Sequence, residues 1–169
     1  MNCPLCCSER NINIEKIKKS DLIKLYNKHL RIDVSYLVKY DIDYYECVNC
    51  GLKYFFPLIT GDEKFYADLQ KFDWYYMDDK YEYEFCKRYI EPGSKVLEVG
   101  CGKGAFAKHI PGTAYVGLEF SKSAKDLAAR EGIAVENISI QEYSLQYPNF
   151  FDVVVSFQVL EHVSNPKSF

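Results

Sequence analysis

The stretch VLEVGCGKG, Val96 to Gly104, constrains this chain more than any other. Val96 to Val99 read as a buried strand, and Gly100, Gly102 and Gly104 follow at alternate positions. The pattern from Lys103 to Ile110 predicts a helix, stopped by Pro111-Gly112. A strand that turns directly into a helix needs residues free to take positive φ. A missing Cβ also lets a ligand lie on the backbone, where the free N–H groups of a helix start attract negative charge. The glycine spacing is one residue shorter than the dinucleotide fingerprint, and no P-loop pattern is present.

The chain continues in the same style. AYVGLEF, Ala114 to Phe120, predicts a second strand. Ser121 suits the N-cap of a helix over Lys122–Glu131, and Gly132 suits its C′ position. IAVENI predicts a third strand, and FDVVVSF a fourth, apolar on successive residues and so buried on both faces. Strands alternating with helices imply an α/β fold with a parallel sheet and right-handed crossovers. Glu119 ends strand two about twenty residues after Glu98, where an acidic side chain accepts hydrogen bonds from both hydroxyls of a ribose. Ligands of such sheets sit beyond the carboxyl ends of the strands, which brings Gln158 to Val163 to the same place. That segment holds Glu161 and His162, and imidazole suits a general base near neutral pH. His29 and His109 read as surface residues in helix-like stretches.

Two C-x-x-C pairs, Cys3/Cys6 and Cys47/Cys50, punctuate the N-terminal part. Four thiolates at tetrahedral reach make a closed, structural zinc site, and strand-like runs on both sides of the second pair predict a zinc-ribbon knuckle. Gly51 follows the second pair, as a tight turn requires; Cys7 stands in the equivalent place after the first. A redox dithiol is the main alternative. Cys86 and Cys101 read as buried small hydrophobes. Three zones result: a zinc-ribbon-like module over 1–60, a helical aromatic-rich linker or lid over 61–92, and the α/β zone over 93–169. In the middle zone Trp74, Tyr75 and Tyr76 suit a lid, while Phe85 and Tyr89 would face inward from a helix at i, i+4 spacing. Asn165 and Pro166 predict a further helix start.

The net charge of −3 and pI near 5.7 argue against a duplex nucleic-acid partner. No apolar run is long enough for a bilayer, and the seven cysteines without a secretion signal point to a reducing, cytoplasmic setting.

VLEVGCGKG, YVGLEFS and FDVVVSFQVLEHVSNPKSF, in this order and spacing, resemble the class I S-adenosylmethionine-dependent methyltransferases. The resemblance covers residues 93–169. It implies a Rossmann-like sheet ordered 3-2-1-4-5-7-6, of which this chain has the first four strands; the chain is then a fragment, or a partner or second copy completes the sheet. It implies that Glu98, Gly100, Cys101, Gly102 and Gly104 shape the pocket for the methionine part of the cofactor, Cys101 through its backbone alone. Glu119 would hold the ribose and Phe120 would border the adenine. Ile140 and Gln141 would contact the adenine ring and its amine, though Ser139 and Glu142 stand beside them. Gln158 would border the methyl donor. Glu161 and His162 are the catalytic candidates, with His162 as base or substrate ligand. With its four cysteines, the chain is similar to sugar C-methyltransferases and related small-molecule methyltransferases, in which the zinc module helps to cover the active site.

The expected function is methyl transfer to oxygen or carbon of a small molecule, with a nucleotide-linked sugar as one acceptor. The Asn/Asp-Pro-Pro-aromatic motif of amino-methylating nucleic-acid enzymes is absent after strand four. Two rivals stand beside it: a ribosomal RNA base methyltransferase, and a non-catalytic zinc-ribbon adaptor that keeps only the fold.

Overall fold

A computed structural model describes residues 1–169 apart from Asp73, Tyr76 and Ser164. Tyr76, one of the three lid aromatics expected from the sequence, thus lies outside the described residues. The chain divides into two compact units: Met1–Lys71 with His162–Ser168, and Phe72–Glu161 with Phe169.

The first unit is built on a three-stranded antiparallel sheet of β1 (Asn11–Ile17), β2 (Ile42–Cys47) and β3 (Lys53–Phe56), in that order. Helix α1 (Lys19–Leu30) joins the first two strands and ends on Arg31 in the left-handed region. Strand β1 follows the first cysteine pair and pairs with β2 through an irregularity between Asn13 and Glu15. The sequence reading missed β1, because isoleucines alternating with asparagines carry little strand propensity on their polar side. The expected strand–knuckle–strand is β2, Val48–Cys50 and β3, with Tyr44 stacked on Phe55 and Tyr45 on Tyr54 across the pair. Ile32, Val34, Val38 and Ile42 are buried in this unit, as are Cys3 and Cys47. A sheet this small buries little apolar surface of its own. Helix α2 (Glu63–Leu69) closes the unit, capped by Asp62, whose side chain accepts from the Phe65 N–H at 2.9 Å.

The second unit carries helix α3 (Tyr81–Cys86), then β4 (Lys95–Val99), β5 (Ala114–Leu118), α4 (Lys122–Arg130), β6 (Val135–Glu136), α5 (Ile140–Gln146) and β7 (Val153–Ser156). Its parallel sheet has the order β6-β5-β4-β7. In chain order that is 3-2-1-4, the first half of the Rossmann-like arrangement expected. Ser121 caps α4 by accepting from the Ala124 N–H, and Gly132 follows with φ 72°.

Five expectations need correction. The segment after the glycine turn is a 3₁₀ stretch, Ala105–His109, not an α-helix from Lys103: with Pro111-Gly112 so close, there is no room for α turns. Strand β7 is not buried on both faces. It is an edge, and Val154 is 59% exposed. Phe85 and Tyr89 pair with each other in solvent, while Tyr83 is the inward residue, its ring packed against Phe106 and Phe157. His109 is no surface residue: its side chain is 16% exposed, bonded to the Asp78 carbonyl and near the Asp79 and Glu84 carboxylates. Asn165 and Pro166 open only a turn, in which the Asn165 side chain accepts from the Lys167 N–H.

Candidate functional sites

The four sulfurs of Cys3, Cys6, Cys47 and Cys50 lie within 4.8 Å of one another. Cys3 and Cys50 are 3.6 Å apart and Cys6 and Cys47 3.5 Å, far beyond a disulfide bond. Zinc–sulfur bonds of about 2.3 Å in a tetrahedron set sulfurs roughly 3.8 Å apart, so the spacing fits that ion. The two knuckles are built alike. The Cys7 N–H donates to the Cys3 carbonyl as the Gly51 N–H does to that of Cys47. Cys7 takes φ 60° where Gly51 takes φ 74°, so a non-glycine residue fills the left-handed position. Backbone at Ser8 and the Asn49 side chain hydrogen-bond to Cys6 and hold its thiol down at about 6, favouring the thiolate that a metal binds.

The second site lies at the carboxyl end of the parallel sheet. Gly100, Gly102 and Gly104 have φ of 72°, 56° and 76°, so the turn is closed to most side chains. At two of them the chain itself occupies the space. A Cβ on Gly100 would lie 2.4 Å from a Val159 methyl, and one on Gly104 2.8 Å from an Ile133 methyl. The glycines therefore let Val159, after β7, and Ile133, after α4, pack onto the turn.

Glu119 closes this corner. Its carboxylate accepts from the Gly102 N–H at 3.0 Å and from the Ser121 N–H at 2.7 Å. The Asn137 side chain donates to the carbonyls of Glu119 and Phe120 at 2.7 and 2.8 Å, fixing the backbone that carries them. Sequence reasoning did not find Asn137, whose signal lies only in its place after β6. Phe120 is 73% exposed, a ring face open to a planar partner. Ile140 and Gln141 begin α5, while Ser139 and Glu142 bond to each other as its capping box. Glu142 and Ser139 are thus committed to the helix start, Ile140 packs against the core of Leu97, Val99, Leu118 and Tyr143, and Gln141 is exposed.

Under the turn, Glu98 is buried to 1% exposure and accepts a hydrogen bond from the Tyr115 hydroxyl. Burial pushes its carboxyl up to about 7, against the pull of Tyr115 and Lys80. Cys101 is buried, and burial raises its thiol, which keeps it neutral. Gln158 has φ 56° and donates to Glu82 at 3.3 Å. Glu161 and His162 form a short 3₁₀ turn with Leu160. His162 groups with the first unit, where its ring stands edge-on to Tyr66 at 5.8 Å. The residues fit a ribose-bearing cofactor: a half-buried carboxylate beside a glycine turn offers the acceptors that a ribose diol needs.

No helix among the described residues is long and apolar enough to cross a membrane. The profile of the methyltransferase domain family matches residues 69–169. A ubiquinone biosynthesis O-methyltransferase of Thiobacillus denitrificans is 34% identical over 84 residues, which are 45% of this chain and 36% of that protein. A protein of the same name from Escherichia coli is 36% identical over 84 residues, 45% of this chain and 35% of its own. The chain thus spans about a third of the length of these relatives. A solved coclaurine N-methyltransferase, bound to N-methylheliamine and SAH, superposes with a TM-score of 0.42 at 23% identity, covering 48% of this chain and 27% of that one. With the family profile matched over more than half of its length, and the strand order and glycine turn in place, the chain belongs to the class I S-adenosylmethionine-dependent methyltransferases.

Proposed function

We propose that this protein takes part in methyl transfer from S-adenosylmethionine to an oxygen of a small molecule, and that it holds a structural zinc ion. The observation that carries the first part is the Glu119 carboxylate, drawn onto the Gly102 N–H at the end of adjacent parallel strands. When bound, the cofactor supplies a methyl group on a sulfonium leaving group. The chain's own residues then bind and orient. Glu119 would accept from the ribose hydroxyls. Phe120, Ile140 and Gln141 flank the adenine. Much of the acceleration comes from holding donor and acceptor in line.

The names of the relatives, O-methyltransferases of ubiquinone biosynthesis, favour oxygen over carbon as the acceptor atom. A hydroxyl acceptor must lose its proton, and His162 is our choice of base, with Glu161 beside it. A phenol, whose hydroxyl ionises at about pH 10, gives its proton to an imidazole more readily than a sugar hydroxyl does, and a nucleotide-linked sugar is the alternative acceptor. Cys3, Cys6, Cys47 and Cys50 would hold the zinc, and four thiolates would leave no open position, so the ion would serve the fold. The cysteines stay reduced in the cytoplasmic setting that we propose.

The test is transfer of a labelled methyl group to a panel of phenols and nucleotide-linked sugars. We expect labelled phenol ether, and a His162→Ala variant that keeps cofactor affinity but loses 10²- to 10⁴-fold in turnover. Unchanged turnover in that variant would remove His162 as base. Label in no acceptor would contradict the proposed reaction.

A further inference from the structure

Glu98 and Tyr115 form a hydrogen-bonded pair beneath the glycine turn. Glu98 stands two residues ahead of Gly100, with 1% of its surface exposed, and the Tyr115 hydroxyl donates to its Oε2. A lone buried carboxyl is a poor choice for stability alone, because an apolar side chain in the same place avoids desolvation. Its neighbours on β4, Leu97 and Val99, are apolar and equally buried. A charged group kept there has something to answer.

The surroundings decide in which sense it responds. Tyr115 reaches Glu98 from β5 and Glu119 from the end of that strand. Lys80, Tyr83 and Cys86 face it from α3 and its approach, and Cys101 from the glycine turn. Among these only Lys80 is cationic, and its ammonium lies toward the Tyr83 ring. The pocket is therefore short of positive charge, and Glu98 holds its proton up to about pH 7. A ligand cation brought to the turn adds that charge in a poorly screened site, and the ionised carboxylate becomes the favoured form.

We propose that Tyr115 is a positioning residue which, through its hydrogen bond, holds Glu98 beneath the glycine turn so that binding of the cationic methyl donor releases the Glu98 proton. This rests on the reading of the turn as the donor site. The donor carries a sulfonium that the demethylated product lacks, so the product releases fewer protons. The pair thereby favours donor over product, and more strongly as pH rises.

Calorimetric titration of S-adenosylmethionine and of S-adenosylhomocysteine into the metal-loaded full chain tests this. Measurements at pH 6, 7 and 8, in buffers of differing ionisation enthalpy, count the protons released. For one proton with a midpoint near 7, donor affinity should weaken about tenfold from pH 8 to pH 6, with about half a proton released at pH 7. Product affinity should change less. Glu98→Gln, equal in shape, should bind the donor without the part of the pH dependence and of the proton release that Glu98 contributes. Tyr115→Phe removes the bond that lowers the Glu98 pKa, so the midpoint should move upward. If Tyr115→Phe weakens binding equally at every pH with the proton count unchanged, Tyr115 is only structural and the inference falls. Donor binding by the unaltered protein without proton release overturns the inference and leaves the donor site standing. No binding at any pH overturns both.

Discussion

Chelating the metal from the purified protein is expected to unfold the first unit, with loss of the β1–β3 sheet. The apolar core available to it is a handful of residues around Val34 and Val38. Both cysteine knuckles are anchored on that sheet, one leading into β1 and the other joining β2 to β3. Zinc binding to four thiolates supplies roughly 10–16 kcal/mol in small zinc modules, against a net stability of about 5–15 kcal/mol for a typical domain. Removing the ion therefore removes more than such a unit has to spare. Elemental analysis should find one zinc per chain, and circular dichroism during chelation should show strand signal lost and regained on adding zinc. Cys47→Ser, which removes a buried ligand, should reproduce the loss. A metal-free protein with the same spectrum and the same melting temperature would show that the cysteines serve another purpose, the redox dithiol first.

The second large effect is expected at Gly100. An alanine there meets two penalties that the structure separates. The left-handed backbone, φ 72°, costs a non-glycine residue about 1–2 kcal/mol. The new methyl would also lie 2.4 Å from Val159, and such overpacking costs about 1–3 kcal/mol. Gly132 is the control. It has the same φ of 72°, and a Cβ there meets nothing within 4 Å. Gly132→Ala should thus show the backbone penalty alone, while Gly100→Ala shows both, about 3 kcal/mol together. Adding Val159→Ala to Gly100→Ala should return the packing part in a double-mutant cycle of thermal or urea unfolding. Equal destabilisation at Gly100 and Gly132 would mean that Val159 does not press on the turn. Because Val159 follows Gln158, the same substitution should weaken donor binding at least tenfold.

Much of this was legible in the residues, and the exceptions have physical causes. The glycine turn, Ser121 as cap and Gly132 after the helix follow from local chemistry: positive φ, orphan N–H groups and a hydroxyl to accept them. The cysteine spacing foretold a cluster because two short loops of the same length bring their sulfurs to one point. What failed depended on neighbours distant in sequence. Tyr83, not Phe85, faces inward because Phe106 and Phe157 stand on that side, and a six-residue helix has too few turns to display a periodic face. His109 looked exposed until Asp78 and Glu84 came to meet it. No pattern announced that Val159 and Ile133 would pack onto the turn at Gly100 and Gly104. Asn137 was invisible, since its partners are backbone carbonyls that no pattern announces.

We propose that the corner made by Gly102 and Glu119 holds the methyl donor. Its most direct test is a calorimetric titration of S-adenosylmethionine into the zinc-loaded protein beside its Glu119→Ala variant, with the fold of each checked by circular dichroism. Micromolar binding is expected of the unaltered chain, with a loss of at least about tenfold in the variant. A folded, zinc-loaded chain that binds no donor, or a variant that binds it equally well, would contradict it.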